Sequence, residues 1–120
     1  MTQTTVILKL PLPTTVNKSY LHAAGRVILS PEARAYRDEC RWRALEQYHN
    51  DPMRGLLSVT IHFYAKNGDV DGRIKQLLDA LNTIVWEDDR QIKGLHVYQH
   101  EDAKWQRTEI AVMPFEGFPR

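Results

Sequence analysis

The stretch Leu56–Ala65 alternates without a break. Leu57, Val59, Ile61 and Phe63 fall on one side, and Ser58, Thr60, His62 and Tyr64 on the other. Successive side chains of a strand point to opposite faces, so this segment is a strand buried on one face only. Its apolar side needs a cover, and two helical patterns supply one. After the turn Lys66-Asn67-Gly68, the residues Ile74, Leu77, Leu78, Leu81, Ile84 and Val85 recur at helical spacing, which predicts a helix from about Arg73 to Val85. Upstream, Ser30-Pro31-Glu32 has the chemistry of a helix start: a capping hydroxyl, a proline suited to the first turn and a carboxylate at the positive end. That helix runs to about Tyr48, before Asn50-Asp51-Pro52. Ala33, Tyr36, Cys40, Ala44 and Tyr48 turn toward the core, and Arg34, Arg37 and Arg41 form a basic stripe beside them.

The remaining segments complete the sheet. Thr5–Leu10 reads as a strand, and Pro11–Asn17 as irregular because two prolines remove two backbone donors. Tyr20–Leu21 and Arg26–Leu29 read as a hairpin across Ala23–Gly25. Gln91–Gln99 and Arg107–Met113 read as two final strands, expected to pair as a hairpin through Glu101–Trp105. The expected class is α+β: a mixed, largely antiparallel sheet with two helices packed on one face. With 120 residues, the chain forms a single domain over residues 1–120.

Composition narrows the function. Hydrophobic residues make up 42% and charged residues 26%, which fits a globular chain. A lone cysteine, Cys40, forms no internal disulfide and, on the apolar helix stripe, reads as a core residue rather than a nucleophile. No basic leader precedes Thr5–Leu12, and no apolar run approaches the roughly 20 residues of a membrane span, so the expected location is the cytoplasm. The net charge of +1 points to no partner, but basic residues dominate the first half and acidic ones the second. That division suits a protein that holds a polyanion with one part and cuts it with another.

The chemistry concentrates in Gly68-Asp69-Val70-Asp71-Gly72-Arg73-Ile74-Lys75 and the helix after it. In an extended segment, residues two apart share a side, so Asp69 and Asp71 can converge on one cation. Magnesium prefers hard oxygen ligands and takes few protein carboxylates, leaving room for water and phosphate. Lys75, Asp79 and Asn82 follow along one polar helix face, and Trp86-Glu87-Asp88-Asp89 adds carboxylates that can fold back. Four readings compete. Asp71 could simply cap the helix in a solvated acidic turn. A calcium loop would begin at Asn67, but its twelfth position is Leu78 instead of a bidentate glutamate. An aspartyl phosphatase also begins Asp-x-Asp after a strand, but it needs a larger parallel sheet. The fourth reading is a metal-dependent nuclease.

Here the sequence resembles a family. Asp69-x-Asp71, Lys75, Asp79-Ala80-Leu81 and Trp86-x-Asp88-Asp89-x-Gln91-Ile92 are similar to the signature of the RusA-type Holliday junction resolvases. So are Pro11-x-Pro13, Asn17 and Tyr20, and Ser30-x-Glu32-Ala33-x-Ala35-Tyr36-Arg37. The ordered set covers nearly the whole chain. The resemblance implies a small homodimeric endonuclease, of a kind often carried by phages and prophages. Such enzymes cut four-way DNA junctions symmetrically with magnesium or manganese, in DNA recombination and repair. By resemblance, Asp69, Asp71 and Asp89 take the places of the metal-binding aspartates and Lys75 that of the essential lysine. Asp88 and Asp79 are second choices, as ligand or supporting partner. The chain has Gly72 where asparagine is usual, a slightly shorter interval from the helix to Asp88–Asp89, and only Lys66 where some relatives carry a basic run.

Arg34, Arg37 and Arg41, then Lys18 and Arg26, are the candidate DNA-backbone contacts; the alternative is a solvated helix face. His22, His49, His62, His96 and His100 lack metal-ligand spacing, although His96 and His100 flank Tyr98 on one strand face. Trp42, Trp86 and Trp105 are expected to pack rather than to stack on bases. A two-fold dimer fits a four-way junction, since two symmetric cuts need two sites related by a dyad. Two other functions compete: a nuclease for other branched DNA, and a non-cutting DNA-binding or regulatory protein of the same fold.

Overall fold

A computed structural model describes residues 5–13, 20–23, 25–68 and 70–117, with the side chains of 20–23, 26 and 27 excepted. The order is β1 (Val6–Leu10), β2 (Tyr20–Ala23), β3 (Arg26–Leu29), α1 (Pro31–Gln47), β4 (Leu57–Ala65), α2 (Val70–Leu81), β5 (Ile92–Glu101) and β6 (Arg107–Pro114). A single 3-10 turn, Asp89–Gln91, precedes β5. β2 and β3 form the expected hairpin, separate from a four-stranded sheet of order β1-β6-β4-β5.

The alternating strand lies at the centre of that sheet. Leu57, Val59, Ile61 and Phe63 are fully buried, and α1 and α2 cover them as one core with Tyr36, Cys40, Ala44, Leu77, Ala80 and Leu81. The class is therefore α+β, with a mixed sheet covered by two helices. α1 starts as its sequence predicts: the Ser30 hydroxyl accepts from the Ala33 amide at 3.1 Å, with Pro31 and Glu32 in the first turn. At its other end the Gln47 amide pairs with both backbone groups of Lys9, at 2.8 and 2.7 Å. Those bonds satisfy part of the free edge of β1.

The expected hairpin of the last two strands does not form. β5 pairs parallel with β4 from Ser58–Gly94 to Ala65–Glu101, and β6 pairs antiparallel with the other edge of β4. The reason is the crossover through α2. A helix laid over the sheet returns the chain beside β4 in the same direction, which leaves the opposite edge of β4 for β6. The connection from β5 passes over the end of β4, where the Asp102 amide donates to the Ala65 carbonyl at 3.1 Å.

The second helix is also displaced from its expected bounds, beginning at Val70 and ending at Leu81. Ile84 and Val85 stay buried, but outside the helix. Thr83 adopts φ 71°, a left-handed conformation unfavourable for a β-branched residue, and so breaks the helix. The Thr83 amide donates to the Trp86 carbonyl at 2.7 Å, and the Trp86 indole to Asn82 Oδ1 at 2.7 Å. Trp86 thus packs as expected, but Trp42 and Trp105 are 70% and 60% exposed. Trp42 lies on α1 away from its buried stripe, and Trp105 stacks on the Arg107 guanidinium. On the sheet face away from the helices, His62 and His100 share a hydrogen bond of 2.9 Å within a stack that includes Tyr98 and Tyr64. Cys40 is buried and free, and burial pushes its thiol up to about 11, as a core residue requires.

Candidate active site

The start of α2 at Val70 decides between the readings of the acidic motif. Asp71 lies inside the first helical turn, so it does not belong to an extended segment and is not the residue ahead of the helix that caps it. A calcium loop would have to hold its ligands open where this chain is already helical, directly after a strand. Two antiparallel neighbours in a four-stranded sheet likewise lack the parallel architecture of an aspartyl phosphatase. Asp69 lies outside the described residues, as does Lys18, and the Arg26 side chain is not described either.

Helical spacing then does what the extended segment does not. Asp71, Lys75 and Asp79, four residues apart, are all exposed and make one stripe along α2. The Lys75 ammonium lies 3.4 Å from an Asp79 carboxylate oxygen, with side-chain exposures of 65% and 46%. Asp89, on the 3-10 turn, feels the charges of this stripe. Partial burial, then the carboxylates of Asp79 and Asp88, hold the Asp89 carboxyl above its ordinary value, while Lys75 pulls it the other way. The field around Asp89 is thus negative, and a bound cation would relieve it.

Asp88 and Asp89 are adjacent but differ in role. Asp88 caps the 3-10 turn: one carboxylate oxygen accepts from the Arg90 amide at 2.9 Å and the other pairs with the Arg90 guanidinium at 3.2 Å. Those contacts, the Arg90 amide foremost, hold its carboxyl below the ordinary value. Gln91 fastens the turn from behind. Its oxygen accepts from the amides of Glu87 and Asp88, and its nitrogen donates to the carbonyls of Met53 and Gly55, both at 2.9 Å. Asp88 also lines a shallow hollow with Arg54, Arg90 and Lys93, cationic neighbours that the sequence reading did not single out.

The chain belongs to the RusA endodeoxyribonuclease family. The family profile described as Endodeoxyribonuclease RusA matches residues 11–113, most of the chain and every described residue of the candidate site. No curated protein matches the sequence. Membership bears out the resemblance drawn from the ordered motifs. It makes the chain's class that of endonucleases acting on DNA, for which branched junctions are the implied partner. No described helix is long and apolar enough to cross a membrane.

The described residues do not gather three or more His, Cys, Asp or Glu side chains into one metal-holding group. Asp71, Asp79 and Asp89 offer carboxylate oxygens, the hard donor type that a magnesium or manganese ion takes.

The arginine stripe divides. Arg34 and Arg37 are exposed. Arg37 lines a small cleft between β3, α1 and α2 together with Tyr36, Gln76 and Asp79, which brings it beside the carboxylate stripe. Arg41 is committed elsewhere. Its guanidinium donates to the Ala80 and Asn82 carbonyls at 3.1 and 2.8 Å and to the Thr83 hydroxyl at 3.1 Å, closing the C-terminal end of α2. Sequence spacing also passed over Arg73. It is only 4% exposed, and its guanidinium holds the turn that leads into α2. A charged residue four positions before Leu77, in line with the apolar stripe, was the available signal.

Proposed function

We propose that this chain is a divalent-metal-dependent endodeoxyribonuclease that resolves four-way DNA junctions by paired symmetric cuts, acting as a homodimer in recombination and repair. The observation that carries this reading is the endodeoxyribonuclease family match to a chain in which Lys75 and Asp79 pair along α2 and the Asp89 carboxyl feels the charge of both. Asp69, Asp71 and Asp89 are the proposed ligands of magnesium or manganese. Asp88 supports them, with one oxygen capping the 3-10 turn and the other paired with the Arg90 guanidinium.

When bound, the ion would neutralise charge on the scissile phosphate and lower the pKa of water, so that a deprotonated water can attack. The chain's own groups do the rest. An aspartate carboxylate accepts the proton of the attacking water. Lys75, steadied by Asp79, meets the negative charge that develops on the phosphate or the leaving oxygen. Arg34 and Arg37 hold the DNA backbone, with Lys18 and Arg26 as further contacts. Beyond Asp88, Lys93 adds a further cation for the backbone, beside Arg54 and Arg90, which pair with Glu87 and Asp88. Arg41 serves the fold instead. The dimer follows from the substrate, because two symmetric cuts require two sites related by a dyad.

Asp71→Asn separates chemistry from binding. It is expected to abolish cutting of a four-way junction while leaving junction affinity in EDTA within about twofold of the wild type. Retained cutting would remove Asp71 from the site.

A further inference from the structure

Arg73 is a buried cation in the first turn of α2, at the N-terminal end of its buried face, a costly choice for a core position. Its fork engages three separate segments. Nε donates to the Pro13 carbonyl at 3.3 Å, Nη1 to Gln99 Oε1 at 3.0 Å and Nη2 to the Asn67 carbonyl at 2.7 Å. Gln99 in turn donates from Nε2 to the Gly68 carbonyl at 3.3 Å. The successive carbonyls of Asn67 and Gly68, ahead of α2, are therefore held by one arginine–glutamine pair anchored on β5.

Helical side chains lean toward the N-terminus, so a residue at this position reaches back over the helix start. Gly68 accommodates the contact. It has φ +118°, and a Cβ there would lie 2.4 Å from Arg73 Nη2. An apolar side chain would serve packing, but it could not tie the turn, the segment at Pro13 and β5 to one rigid fork.

We propose that Arg73 is a positioning residue for the metal centre: with Gln99 it fixes the turn that leads into Asp71, so that metal affinity depends on a guanidinium that touches neither metal nor DNA. This inference rests on the metal-dependent reading above and assigns that site its supporting layer. Partners behind metal ligands commonly govern affinity by about 10–100-fold.

The test is manganese binding to the full chain, followed by the electron paramagnetic resonance signal of free Mn2+, for wild type, Arg73→Lys, Gln99→Ala and Asp71→Asn. Circular dichroism and junction affinity in EDTA are measured beside it. Arg73→Lys keeps the charge and loses the fork; it is expected to bind Mn2+ at least about 10-fold more weakly while junction affinity in EDTA is unchanged. Raising Mn2+ should recover its cleavage. Gln99→Ala alters an exposed side chain and should weaken Mn2+ binding about threefold. Wild-type Mn2+ affinity in a folded Arg73→Lys overturns the inference. If Arg73→Lys does not fold, wild-type affinity in Gln99→Ala overturns it equally. Equal Mn2+ binding by wild type and Asp71→Asn would instead remove the metal-dependent reading, and the role of Arg73 with it.

Discussion

Replacing Arg41 by alanine is expected to cost stability rather than DNA binding, the reverse of what its place in the arginine stripe suggests. The side chain makes three hydrogen bonds of 2.8 to 3.1 Å, two of them to carbonyls at the end of α2 that have no helical partner. A charge-assisted bond contributes about 1.5–3 kcal/mol when desolvated, and a cation at a helix C-terminus about 0.3–1 kcal/mol. The group is only part-buried, and truncation lets water reach the released carbonyls, so the net loss is about 2 kcal/mol. For a domain of this size, that lowers Tm by about 8 °C. Thermal unfolding of Arg41→Ala, Arg34→Ala and Arg37→Ala provides the comparison. The latter two should stay within about 2 °C of wild type. In junction binding against salt, Arg34→Ala and Arg37→Ala should each flatten the slope of log K against log salt by about 1, and Arg41→Ala should leave it unchanged. An Arg41→Ala protein of wild-type Tm, or one whose salt slope flattens like the others, would refute the helix-closing role.

Other expectations concern the carboxylates and the core. Asp89→Asn removes a carboxylate from a negative field, so in EDTA it should raise Tm by about 2 °C while abolishing metal-dependent cutting; a lower Tm would contradict the crowding. The pH dependence carries the same sign. The Asp89 carboxyl is raised, so the folded state holds its proton more tightly than the unfolded chain. In EDTA, stability should therefore fall as pH rises from the ordinary carboxylate value through the raised one, less so in Asp89→Asn. Metal affinity should fall as pH drops through the same window, measured by Mn2+ titration. Trp86→Ala should cost about 3–5 kcal/mol in denaturant unfolding, because it empties a fully buried site and strips Asn82 of its donor.

The parts of the fold set by local chemistry were readable from the residues. Alternation at Leu57–Ala65 and the Ser30 cap each act over a few residues and appear as expected. Strand pairing did not follow from sequence order. Whether β5 meets β4 or β6 depends on the handed crossover of α2, a property of the whole chain. The early end of α2 turns on the backbone of Thr83, which no pattern of apolar residues encodes.

The same division holds at the site. Lys75, Asp79 and Asp89 were named from the order of motifs; helical spacing pairs the first two, and their charges reach the Asp89 carboxyl. Periodicity reports which helix face a side chain occupies but not what it meets. It therefore grouped Arg41 with Arg34 and Arg37, although the neighbouring helix end takes its guanidinium. It passed over Arg73 because that residue's partners come from segments distant in sequence.

The most direct measurement of function is cleavage of a synthetic four-way junction, a replication fork and plain duplex, each with magnesium and with EDTA. Paired symmetric nicks confined to the junction and abolished by EDTA are the expected result. Binding without cutting would contradict the enzyme and leave a DNA-binding protein of the same fold, and equal cutting of the fork would widen the substrate to branched DNA in general.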